Sequence, residues 1–117
     1  SKVLDGYSPV DLLLNLSGRH NLKKTGVHPV EIEQIVRISN DATRVMRNYK
    51  RSKNPAIELA NRKEAIKQAN ELAPQAIDKI KFILGPNYDA AIHRANELRL
   101  LPEVKMELRG QSVFIFH

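Results

Sequence analysis

The run from Thr25 to Lys53 constrains this chain more than any other, because it combines a helical period with two faces of opposite chemistry. Ile32, Ile35, Ala42, Val45, Met46 and Tyr49 recur at spacings of three and four, which gathers them on one side of an α-helix. Arg37, Arg44, Arg47 and Arg51 fall on the other side. At about 100° per residue, positions 37, 44 and 51 stack nearly in line, with 47 beside them. One face needs a core, and the other needs water or an anionic partner.

The segments around this run carry helix punctuation. Ser8-Pro9-Val10-Asp11 reads as a helix start, with Ser8 as cap, Pro9 at the first helical position and Asp11 closing a capping box. Leu12, Leu13, Leu14 and Leu16 make that helix short and buried, and Gly18 ends it. The next stretch, Arg19 to Val27, is polar and basic, with Gly26 placed for a turn. His28-Pro29 opens the two-faced helix, and Glu31 and Glu33 suit the positive end of its dipole. Lys50, Arg51 and Lys53 suit its negative end. Ser39-Asn40-Asp41 is a poor helix interior and marks a point for a kink or break.

Asn54-Pro55 repeats the start signal, and Leu59, Ala60, Ile66, Ala69 and Leu72 give the following helix an apolar stripe. Its outer face is Arg62, Lys63, Glu64, Lys67 and Glu71. Pro74 is expected to begin a separate helix with Ile77, Ile80, Ile83 and Leu84 inward, stopped by Gly85-Pro86. Asn87 caps a last helix with Tyr88, Ala91, Ile92, Ala95 and Leu98 inward.

Pro102 ends the helical part. Val104, Met106 and Leu108 alternate with Lys105 and Glu107, Arg109-Gly110-Gln111 can turn, and Ser112 to Phe116 is β-branched and aromatic. This predicts a β-hairpin over 103–117. Two strands alone are marginal, so the hairpin is expected to pack on the helices or to pair with another chain, which makes a homo-oligomer an expectation. The expected fold is therefore mainly α (α+β), with four or five short helices and a C-terminal β-hairpin. It forms one basic helical domain over 1–117, with residues 1–7 loose.

Composition narrows the functional classes. The 117 residues suit one domain. There is no cysteine, which excludes disulfides and thiolate metal sites. No apolar run approaches the roughly 18 residues of a membrane span, and no secretory signal pattern is visible. Membrane partners are not expected, and cytoplasm is the default compartment. A net charge of +6 and a pI near 9.8 favour a polyanionic partner.

Leu22-Lys23-Lys24-Thr25-Gly26-Val27, followed by Pro29, Ile32 and Ile35, resembles the helix-turn-helix of DNA-binding modules. The resemblance covers positions 22–37 and departs at Leu22, where a small residue usually stands. It implies a second helix in the major groove, with His28, Val30, Glu31 and Glu33 toward the bases. The alternative is an ordinary turn between two helices. Independently of this resemblance, guanidinium groups along one helix can follow a phosphate backbone. Arg37, Arg44, Arg47, Arg51, Lys23, Lys24 and Lys50 are the candidate nucleic-acid-binding residues, with Arg19 and Lys53 extending the patch. No acid lies between Arg44 and Arg51 to neutralise the stripe. Its alternative reading is a solvated helix face.

The expected function is thus non-enzymatic nucleic-acid binding, DNA ahead of RNA. The first alternative is an adaptor that docks an acidic protein through the same face. The second is a small metal-independent ribonuclease of the toxin type, which needs a base, an acid and a cation near the scissile phosphate, roles that Glu107, Arg109 and His117 could supply between them. His20, His28, His93 and His117 have no metal-ligand spacing, so no metal or cofactor is expected.

Overall fold

The structure is a computed structural model and describes residues 8–98. The helices are α1 (Pro9–Leu16), α2 (Arg19–Lys24), α3 (Pro29–Thr43), α4 (Val45–Asn48), α5 (Pro55–Leu84) and α6 (Tyr88–Leu98). A 3-10 turn, Gly85–Asn87, joins the last two. The α+β expectation is corrected: among the described residues there is no strand, and 84% of them are helical. Nor are the helices uniformly short, since α5 alone runs for 30 residues. The hairpin expected over 103–117 and the loose residues 1–7 lie outside the described residues.

Local chemistry accounts for the helix starts. Ser8 Oγ accepts from the Asp11 N–H at 3.2 Å, and the Asp11 carboxylate accepts from the Ser8 N–H at 3.1 Å, which closes the capping box. Another free N–H of that first turn, from Val10, donates to the Asn70 side chain of α5 at 2.9 Å. Such donors have no partner within the helix, so α5 caps α1 across the core. His28 caps α3 through Nδ1, which accepts from the Val30 N–H at 3.1 Å. Asn54 caps α5 by accepting from Ala56 and Ile57. Gly26, at φ +80°, turns the chain between α2 and α3, a conformation that side chains with a Cβ rarely adopt.

The core is built on α5. Ala65, Ala69, Ala73, Ala76, Ile80 and Leu84 are buried along one stripe, against α1, α3 and α4. Leu13, Leu16, Leu22 and Ile35 from the other helices are fully buried around it. Burying each such side chain is worth about 1.5–3 kcal/mol. The stripe expected from hydrophobicity differs, because Leu59 and Leu72 are exposed at 50% and 44% and Ala60 is also exposed. Small side chains let α5 approach its neighbours closely, so alanines rather than leucines mark the inward face.

Pro74 does not start a helix; it lies inside α5, on its exposed side. A proline inside a helix loses one ladder bond and costs about 3 kcal/mol. The buried stripe continues in register on both sides of it, Ala69 and Ala73 before and Ala76 and Ile80 after. Packing of one continuous stripe outweighs the local penalty.

The run from Thr25 to Lys53 is likewise not one helix. α3 ends at Thr43, and Arg44 begins a tighter turn in which its N–H reaches Asp41 O at 3.5 Å. The cause lies one turn earlier. The Thr43 hydroxyl donates back to Ser39 O at 2.9 Å, a bond that bends helices. The Ser39 hydroxyl is in turn bonded to that of Ser17 at the end of α1, 2.9 Å away and buried. After α4, residues 49–54 lead to α5 as a non-helical strap.

Candidate nucleic-acid interface

The buried side of α3 carries Ile32, Ile35, Ser39, Ala42 and Thr43. Its outer side therefore presents Val30, Glu33, Gln34, Arg37, Asn40, Asp41 and Arg44, and all of these are exposed. α2 packs beside α3 and adds Lys23 and Lys24, both exposed, in its last turn.

The predicted cations divide into two groups. Lys23, Lys24, Arg37 and Lys50 are exposed, and their side chains make no hydrogen bond or ion pair among the described residues. The remaining arginines are engaged. Arg44 pairs with Asp41 at 2.6 Å, one turn back on the same surface. Arg47 donates to Thr43 Oγ1 at 3.1 Å and to Asn40 O at 2.9 Å. Arg51 lies on the strap rather than on a helix, so the collinear stripe of 37, 44 and 51 is not formed. Its guanidinium donates to Tyr49 Oη at 2.5 Å, stacks over the Tyr49 ring at 4.2 Å, and pairs with Glu58 at 3.3 Å.

Glu58 is the centre of the strap. Its carboxylate accepts from the Ser52 N–H at 2.7 Å and from the Tyr49 hydroxyl at 3.1 Å. The Ser52 hydrogen bond is the largest influence holding its pKa below the ordinary 4.5; the bonds from Tyr49 and Arg51 add to it, against some desolvation. Asn61 fixes the same strap by donating to Lys50 O at 3.0 Å. The stripe is thus partly neutralised by Asp41 within it and by Glu58 beyond it.

On the α2–turn–α3 side, Leu22, Val27, Ile32 and Ile35 are buried and hold the two helices together. His28 is exposed but occupied as the cap. Glu33 is ion-paired with Arg19 of α2, while Glu31 is half-buried on the flank of α3. Gln34 and Asn40 stand on the same outer surface as Arg37, and a search by charge passes over them. Their signal is spacing, since 30, 34, 37, 40 and 44 recur by three and four.

Among the described residues no group of three histidine or acidic side chains converges as a metal site, and no helix is long and apolar enough to cross a membrane. His20 is exposed on α2, and His93 faces Glu97 on the surface of α6 at 3.7 Å. Glu107, Arg109 and His117 lie outside the described residues. Comparison with protein-family models, with curated proteins and with solved structures finds no match.

Proposed function

We propose that this chain is a non-enzymatic nucleic-acid-binding domain whose α2–α3 surface sits on the phosphate backbone. One observation carries the reading. Lys23, Lys24 and Arg37 project from adjacent helices into solvent, free of the acids that neutralise Arg44 and Arg51. Exposed cations without intramolecular partners are the groups that can replace counterions on a polyanion. Lys50, also without an acidic partner, extends the contact past α4, while Arg44 stays paired with Asp41. Arg47 and Arg51 hold the surface in shape and keep guanidinium N–H groups to spare, since each carries five.

The test is binding of the chain to a generic duplex DNA and a generic RNA across a salt series. It is run beside a Lys23→Glu/Arg37→Glu variant. Each lost phosphate contact is expected to flatten the log–log salt slope by about 0.9 on duplex DNA. The double variant should therefore bind weakly at low salt and with a shallower slope. Absence of binding to either nucleic acid at low salt would overturn the reading, as would unchanged binding by the variant.

A further inference from the structure

The phosphate contacts above position a domain without reading sequence, and the outer face of α3 carries more than cations. We propose that on a specific site this face enters the major groove of duplex DNA and reads base edges with Val30, Gln34 and Arg37, Arg37 turning to a base edge from the phosphate contact it makes in non-specific binding. The inference rests on the nucleic-acid reading and goes further, to a specific ligand class and the residues that select it.

The placement of these residues is the first support. They follow one another at spacings of four and three, so they share one line on the helix surface. From Val30 to Arg37 the helix rises about 10 Å, which covers about three base-pair steps at roughly 3.4 Å each. Val30 and Gln34 belong to the N-terminal half of α3, the part of a second helix that reaches base edges when a helix–turn–helix docks, and Arg37 stands just past its middle. An α-helix with its side chains is about 10–12 Å across and fits a groove about 12 Å wide.

Their chemistry is the second support. Arginine can donate two hydrogen bonds to guanine O6 and N7, glutamine can bond adenine N6 and N7 together, and an apolar side chain can meet the thymine methyl. Gln34 and Arg37 make no side-chain hydrogen bond or ion pair among the described residues, so both are available. Val30, 60% exposed, puts an apolar group on the same line.

Electrostatics supplies the third. Glu33 lies on this face and would repel phosphate, but Arg19 pairs with it. Lys23 and Lys24 lie in the last turn of α2, which packs beside α3, so unpaired cations stand next to the segment that faces the bases, while Arg44 and Asp41 further along α3 cancel as a pair. The ligand is DNA in the B form, because the deep, narrow major groove of duplex RNA does not admit side chains.

The experiment is selection from a randomised duplex DNA library with the wild-type chain. Affinities for the enriched duplex, a scrambled duplex and a duplex RNA are then measured for wild type and for Gln34→Ala. Gln34 is exposed, so the fold should persist, which circular dichroism checks. The wild type is expected to enrich a short motif. Gln34→Ala should weaken binding to it roughly 5- to 150-fold and leave the scrambled duplex unaffected. Binding to all duplexes without an enriched motif would overturn this inference and leave the phosphate-binding reading standing. So would a motif whose affinity is indifferent to Gln34→Ala, or duplex RNA bound as tightly as the motif. No duplex binding at low salt would overturn both.

Discussion

The Arg47 guanidinium donates to the backbone carbonyl of Asn40 across 2.9 Å, and that carbonyl is the one left without its usual partner where α3 tightens at Arg44. A side chain that reads from the sequence as a phosphate ligand therefore serves as the cap of a kink. Arg47→Ala is expected to cost about 1 kcal/mol of stability, whereas Arg37→Ala, which breaks no internal contact, should stay within about 0.5 kcal/mol. Urea unfolding of the two variants separates them, and equal costs would refute the capping role.

Glu58 ties the strap to α5, and its pKa is lowered in the folded chain. A carboxyl with a depressed folded value stabilises above its ordinary value and loses that contribution as pH falls through the folded one. Glu58→Gln is thus expected to lower the melting temperature near neutrality. The gap to wild type should close as pH falls below about 4, because protonation makes the native side chain equally neutral. A gap that stays constant from pH 7 to pH 3 would contradict this account.

Pro74 withholds one ladder hydrogen bond from α5 while its exposed ring packs little. Pro74→Ala restores a donor opposite Asn70 O and should raise stability by about 1–3 kcal/mol. A fall in melting temperature would mean that the core is shaped around the proline bend.

Ser17 and Ser39 bond to each other in the interior, while the Ser17 hydroxyl also lies 2.8 Å from Leu13 O. A double-mutant cycle with Ser17→Ala and Ser39→Ala should return a coupling of about 0.5–1.5 kcal/mol. Strict additivity would show that the two hydroxyls act independently.

Much of the helical layout is legible in the sequence because caps are local. Ser8 with Asp11, His28-Pro29, Asn54-Pro55 and Gly85-Pro86 each mark a boundary through residues a few positions apart. The inward face of α5 was not legible, since hydrophobicity ranks Leu59 and Leu72 above Ala65 and Ala73 while close helix approach favours the reverse. Continuity through Pro74 depends on neighbours distant in sequence. The site divides the same way. Its cations can be counted from the sequence, and the Asp41–Arg44 pair follows from a spacing of three. The Glu58 network needs the strap to fold back across 7 residues, and the role of Arg47 needs the kink. Gln34 and Asn40 carry no charge, so their one signal in the sequence is a spacing of three from Arg37, and the orientation of α3 shows that this line faces outward.

The proline inside α5 also bears on how the molecule opens. Residue 74 has no amide hydrogen, and the carbonyl of Asn70 has no ladder partner, so the helix is weakest at that turn. Ahead of it Ala65, Ala69 and Ala73 are buried too, but the first turns of the helix, residues 55–60, are largely exposed, and polar tethers from Glu58 and Asn61 hold the strap there. Beyond it, Ala76, Ile80 and Leu84 are sealed in the apolar interior. Amide exchange should therefore divide α5 into two protection zones, with the strap and residues 55–65 exchanging earlier than 76–84. One continuous helix would then behave in time as two cooperative units, with the boundary at the residue that cannot itself report exchange.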